Sequence, residues 1–216
     1  MAISNNSTGL RPGVCTSSTR PTAPYEGQMI YETDTDLTYV WGGSAWQQVS
    51  GGTAVGNSGL VFISSTAVGS GVSSVTISNC FSSTYDNYRI IWNGGYGSVS
   101  TGIALRVGGS TASYAHVLLW GQLGIGTANC DSSASTSQCN YLGGYTTNSG
   151  ALACDILNPF ISTLYTGFAG GSYLAGDFGL CTGRHNIAQS NTSVTVLPLS
   201  GTITGGTITV YGYRKA

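Results

Sequence analysis

The sequence predicts an all-β protein: a small N-terminal β-meander followed by a jelly-roll-like antiparallel β-sandwich. Three observations predict it. Glycine supplies 33 of the 216 residues, good helix formers are sparse, and no stretch sustains the i, i+3, i+4 apolar spacing of a helix. Short runs that alternate β-branched or aromatic residues with polar ones recur along the whole chain. Gly- and Asn-rich pairs separate those runs, as turns between strands require.

The elements follow in order. Residues 1–50 are expected to form one part, beginning with the arm "MAISNNSTG", which gains order only against a neighbour. Pro21 and Pro24 hold the segment before the meander extended. In "EGQMIYETDTD", Met29 and Tyr31 share one face, and Ile30 and Glu32 share the other. Asp34-Thr35-Asp36 supplies side-chain acceptors for a tight turn. "LTYVW" and "AWQQVS", separated by Gly42-Gly43-Ser44, complete three strands over residues 28–50. Tyr31, Tyr39, Trp41 and Trp46 are available to cover one another. Three strands of this size are marginal alone, so the meander must lean on something larger. Residues 51–59 read as a Gly/Ser-rich linker.

Residues 60–216 carry the remaining strand signals. "SSVTISNCF" alternates Val75 and Ile77 with Ser and Thr. "NYRIIWN" runs into the turn pair Asn93-Gly94. "TGIALRVGGS" alternates Ile103, Leu105 and Val107 before Gly108-Gly109. "YAHVLLW" is a short apolar run. In "SGTITGGTITVYGYRK", Gly205-Gly206 sits between two β-branched runs and predicts a two-residue hairpin. Many short strands of this kind predict a sandwich.

Charge narrows the function. Only 7% of residues are Asp, Glu, Lys or Arg, against roughly 25% in an average soluble domain. Four of the eight acids, Glu26, Glu32, Asp34 and Asp36, fall within Arg20–Asp36. The rest of the chain has little electrostatic repulsion to keep copies apart, which favours self-association. The seven basic residues are scattered, with only Arg214 and Lys215 adjacent, so nucleic acid is not an expected partner. No apolar run approaches the roughly 20 residues needed to span a bilayer as a helix. "MAISNNSTGL" lacks the basic region and apolar core of a secretory signal.

Catalytic and metal motifs are not found, and a non-enzymatic protein without cofactors is expected. The only lysine is Lys215, there is no Gly-x-Ser-x-Gly, and no cysteines are spaced as Cys-x-x-Cys. A glycoside hydrolase needs a carboxylate pair; the body holds only Asp86, Asp131, Asp155 and Asp177. A Ser–His–Asp triad is a spatial arrangement, which sequence alone leaves open. His116, in "YAHVLLW", is expected to pack within a strand, and His185, in "CTGRHNIAQ", to sit in a solvated loop. Glu32, Asp34 and Asp36 alternate along one segment as Ca²⁺ ligands do, but they equally serve the turn. Cys130 and Cys139 bracket a polar stretch that a disulfide would tie; free buried thiols are the competing reading. Two aromatic, Gly- and Asn-rich loops, "WNGGYGS" and "NYLGGYTTN", suit carbohydrate faces through Trp92, Tyr96, Tyr141 and Tyr145, or else pack in the core.

The N-terminal segment "TRPTAPYEGQMIYETDTDLTYVWGGSAWQQV" resembles a short module of structural proteins of tailed bacteriophages, which reads approximately Arg-Pro-x-x-Pro-x-x-Gly-x-x-Ile-Tyr-x-x-Asp-Thr, then Trp, a Gly-rich turn and Ala-Trp. The matching positions are Arg20, Pro21, Pro24, Gly27, Ile30, Tyr31, Asp34, Thr35, Trp41, Gly43, Ala45 and Trp46. "ITVYGYRK" also looks like the last strand of many phage β-sandwich heads. The resemblance covers about 30 residues well and the body only in style. It implies a virion protein, assembled in the host cytoplasm and exposed on the particle exterior. Residues 1–50 would dock on another virion protein, and the body would self-associate, as a homotrimer. A short tail-fibre or minor tail protein of the receptor-binding type, with a host surface glycan as a further partner, fits this. So does a capsid decoration or head-fibre protein. A carbohydrate-binding module is a third class.

Overall fold

In the N-terminal part, the alternation read from the sequence is realised. The computed structural model describes residues 12–49, 59–174 and 176–215. The chain divides into two compact units, residues 1–57 and 58–216. The expected arm and, apart from Gly59, the expected linker lie outside the described residues.

The first unit is a sheet of four strands: β1 (Gly13–Cys15), β2 (Met29–Glu32), β3 (Leu37–Trp41) and β4 (Trp46–Gln48). Strands β2 to β4 are the predicted antiparallel meander. Strand β1 is additional and pairs parallel to β2, with Gly13 opposite Ile30 and Cys15 opposite Glu32. Three residues with one apolar side chain give no periodic signal, so the sequence did not mark it. Ile30 and Glu32 are buried on one face while Met29 is exposed on the other.

The second unit contains β5 (Leu60–Ala67), β6 (Val75–Ile77), β7 (Asn87–Asn93), β8 (Tyr96–Gly97), β9 (Thr101–Val107), β10 (Tyr114–Gln122), β11 (Ala128–Thr136), β12 (Cys139–Tyr145), β13 (Gly150–Leu157), β14 (Thr166–Leu174), β15 (Asp177–His185), β16 (Val194–Pro198), β17 (Ile203–Thr204) and β18 (Thr207–Tyr213). No helix occurs among the described residues. One antiparallel layer runs β5-β18-β7-β13-β14-β15-β10-β11. The start of β13 also pairs with β12, which leads the second layer, β12-β9-β16-β6. Strand β12 packs across β14, β15 and β10. The result is the all-β class expected, a small N-terminal sheet followed in the chain by a sandwich.

The core lies between these layers. Tyr88, Ile90 and Trp92 of β7, Ile208 and Val210 of β18, and Cys154 and Ile156 of β13 face Ile103, Leu105 and Val107 of β9 and Val194 and Val196 of β16. Each large apolar side chain buried this way stabilises the fold by about 1.5–3 kcal/mol before entropy is counted.

Two expectations are corrected. Gly205 and Gly206 both take positive φ, as the turn requires. Their flanking strands do not form a hairpin, because β17 pairs with β8 and β18 pairs with β7 and β5. The turn carries the chain from one pairing to another and packs on the Asn93–Gly95 turn; a Cβ on Gly206 would lie 2.2 Å from the Asn93 carbonyl oxygen. The polar stretch after Cys130 is a strand rather than a tied loop, since residues 128–136 form β11 along β10.

Candidate functional site

The motif residues of the first unit hold the unit together. Arg20 forms an ion pair with the buried Glu32, and its guanidinium lies over the Tyr39 ring, 4.6 Å from the centroid. Thr35 donates a hydrogen bond to the other Glu32 oxygen at 2.9 Å. The hydrogen bond to Arg20 is the main cause that holds the Glu32 carboxyl below its ordinary range. Asp34 accepts from the Ser17 backbone N–H at 2.9 Å and from the Ser17 hydroxyl, and these bonds lower its pKa. The Tyr31 hydroxyl donates to Asp36 at 2.7 Å. The three carboxylates therefore answer to three different partners, and among the described residues no group of three or more metal-ligating side chains occurs.

The remaining motif positions shape the backbone and the core. Gly27 takes φ 84° and donates to the Trp41 carbonyl at 2.8 Å. Pro21 and Pro24 lie in the connection that brings β1 back to β2. Ile30 is buried, and Trp41 and Trp46 meet edge to face at 5.5 Å. Tyr31 stands on the opposite face from Ile30 and does not join these rings. The large apolar side chains that stay exposed among the described residues are Val14, Tyr25 and Met29, with Val49 at the end of the sheet. None of these four belongs to the motif.

In the second unit, the four aromatic residues expected to meet sugar separate. Trp92 and Tyr145 are fully buried, centroids 6.4 Å apart and edge to face. Trp92 Nε1 donates to the Gly205 carbonyl at 3.1 Å, and the Tyr145 hydroxyl donates to the Ser200 carbonyl. They are core residues, which corrects the loop assignment for both. Tyr96 is exposed on the two-residue strand β8. Tyr141 is half-buried and lines a groove.

That groove has a volume of about 430 Å³ and is lined by Leu118, Trp120, Asn129, Cys130, Asp131, Tyr141, Ser172 and Asp177. Register explains the grouping. Leu118 stands opposite Asp131 and Trp120 opposite Asn129, while Trp120 also stands opposite Gly179 of β15. A Cβ at Gly179 would lie 2.7 Å from Trp120 Cβ, so glycine there leaves the indole its place. Tyr141 has φ 61°, inside the register shift of β12 between Cys139 and Gly143. Its hydroxyl has a raised pKa, from burial first and then from the charge of Asp131. His116, almost fully buried, meets the Tyr141 ring edge to face at 5.8 Å. Asp177 Oδ1 is shielded from solvent and has no hydrogen-bond partner among the described residues. Periodicity could not have found this site, because its residues come from five strands.

The histidines and cysteines resolve differently. His116 packs within β10 as expected, and burial lowers its pKa. His185 is buried, stacked on Tyr114 at 4.5 Å, with Nε2 2.9 Å from the Ser110 hydroxyl; the solvated reading is corrected. All six thiols are free. Cys130 is exposed on β11, whereas Cys139 is buried; both thiols are free, and the expected Cys130–Cys139 bridge is absent.

The outer face of the body is apolar around β15 and β10. Leu119 and Leu180, directly opposite one another, are 60% and 73% exposed, and Val117 and Phe178 are exposed beside them. A shallow trough over Ala115, Val117, Ala134 and Thr182 adjoins them, with Arg184 on its border. No family model, curated protein or solved structure matches the chain.

Proposed function

We propose that the chain is a non-enzymatic structural protein of a tailed-bacteriophage virion, of the short tail-fibre or minor tail type. The observation that carries this reading is the division of the chain into a small, motif-bearing front sheet and a larger sandwich with an apolar outer face. Arg20, Glu32, Asp34, Trp41 and Trp46 stiffen the front sheet. Its exposed Val14, Tyr25 and Met29 dock on another virion protein.

The sandwich binds copies of itself through the face bearing Leu119, Leu180, Phe178 and Val117. Their exposed area is on the order of 400 Å², about half of what each partner contributes to a standard interface. The adjoining trough extends the same face and offers a second copy a complementary surface for the leucine ridge. Arg184 is the one charged side chain that borders the trough, so desolvation costs little. A trimer is the assembly expected.

The test is a phage carrying the gene with residues 1–50 deleted. The truncated chain folds, oligomerises and is missing from purified particles. Normal incorporation of the truncated chain would refute docking through the front sheet. Copy number separates the tail reading from its rival, a capsid decoration protein: a few copies per particle support the tail, hundreds support the shell.

A further inference from the structure

We propose that the groove between Trp120 and Tyr141 is a binding site for a neutral, hydroxyl-rich pyranose ring. Its volume of about 430 Å³ falls inside the range of small-ligand sites, roughly 300–1,000 Å³. Its lining has the composition such a ligand needs. Two half-buried aromatic side chains, Trp120 and Tyr141, supply flat apolar surface for the C–H face of a sugar. Asn129 and Ser172 both donate and accept, and Asp131 and Asp177 accept.

Asp177 makes the site specific for a donor. Its shielded Oδ1 lacks a partner among the described residues, and a buried acceptor left without a donor is costly. A ligand hydroxyl reaching that oxygen removes the cost. The charge of Asp131 already acts on the Tyr141 hydroxyl, and the two side chains line the same groove. Two carboxylates without a cation in the lining repel an anionic sugar. Asn129 and Ser172 offer the mixed donor and acceptor groups that a bare cation does not use. The groove is therefore matched to a neutral ring rather than to an acidic or a quaternary-ammonium ligand.

The source of the sugar, a host surface polysaccharide, rests on the receptor-binding reading above; the binding itself does not. The experiment uses the purified full chain. Trp120 indole resonance shifts are followed while glucose, galactose, mannose and N-acetylglucosamine are added, with glucosamine and galacturonate as charged controls. At least one neutral sugar binds with a dissociation constant of about 1–10 mM, which is ordinary for one small, partly exposed ring. Trp120→Ala, read by ligand-observed saturation transfer, weakens binding at least about tenfold, and Asp177→Asn weakens it several-fold. If Trp120→Ala fails to fold, Tyr141→Phe takes its place; it keeps the ring, removes the hydroxyl beside Asp131 and changes affinity several-fold. Three outcomes overturn the proposal: no neutral sugar binding at tens of millimolar, galacturonate or glucosamine binding as well as or better than every neutral sugar, or affinity unmoved by all of these substitutions. Binding of the free sugar without binding of host polysaccharide keeps the groove and removes the receptor reading. Host polysaccharide retained equally by Asp177→Asn and Trp120→Ala keeps the receptor reading and removes the groove.

Discussion

The edge of one ring meets the face of the other where Trp92 and Tyr145 cross inside the sandwich, centroids 6.4 Å apart. Both rings lie over bare glycine backbone. A Cβ at Gly97 would lie 1.7 Å from the Tyr145 ring, and one at Gly150 would lie 2.5 Å from Trp92. Aromatic residues flanked by glycine here mark a packing arrangement, with the glycines vacating the space the rings occupy. Trp92→Ala therefore lowers the stability of the body by about 3–5 kcal/mol. Gly97→Ala, which adds one methyl group, lowers it by at least ~1–3 kcal/mol. Urea unfolding followed by fluorescence measures both. A Gly97→Ala variant as stable as the parent would show that Tyr145 has somewhere else to go.

Acid separates the two units. The folded Glu32 carboxyl is held below the ordinary value of 4.5, chiefly by Arg20, so the folded front sheet binds fewer protons than its unfolded form. Its contribution is present above pH 4.5 and is lost as pH falls through the lowered value. His116 and His185 of the body are likewise held below the ordinary imidazole value of 6.5, in both cases mainly by burial. Neutral in the fold, they cost stability as pH falls below 6.5, because the unfolded chain takes up the protons first. Calorimetry from pH 7.5 to 3.5 should show the body's transition falling first and the front sheet's transition holding until the carboxylate range. Arg20→Gln lowers the front-sheet transition by several degrees at neutral pH and leaves the body's transition in place.

What the sequence disclosed follows the range of each interaction. Strand periodicity is local, and the alternation of Ile30 with Met29, of Val75 with Ile77, and of Ile103, Leu105 and Val107 was legible for that reason. Turn chemistry was legible at Gly205-Gly206, but the partner of each flanking strand was not, since pairing β17 with β8 and β18 with β7 depends on the whole sandwich. The groove was barely legible. Of its aromatic pair only Tyr141 drew notice, while Trp120 looked like one more apolar residue in "YAHVLLW". Asp131 and Asp177 are 46 positions apart in the chain and meet only because β11, β10 and β15 lie side by side.

The Leu119–Leu180 pair tests the self-association surface. Both side chains point into solvent, so Leu119→Glu and Leu180→Glu should leave the thermal transition nearly unchanged, as exposed substitutions usually do. The same changes place charge at the centre of the proposed contact. Light scattering on the parent gives an oligomer, and on the double variant a single chain. A parent protein that scatters as one chain at high concentration removes self-association altogether. A double variant that remains an oligomer moves it to another surface.

Thiol chemistry tests the strand assignment of residues 128–136. Cys130 is exposed on β11 and Cys15 is partly exposed, while Cys80, Cys139, Cys154 and Cys181 are buried. Burial pushes Cys80 up to about 12 and raises Cys154 and Cys139 as well; for Cys139 the neighbouring Cys181 thiol is the larger cause. The thiolate is the reactive species, so these buried groups are inert in the folded protein. A disulfide-exchange reagent added to the native chain therefore labels Cys130 rapidly and Cys15 slowly. The other four respond only in denaturant. Cys130→Ser abolishes the fast phase and leaves the rest unchanged. A native chain with no fast phase, and with two fewer thiols after denaturation without reductant, would mean that Cys130 is bridged and that β11 does not take the register described.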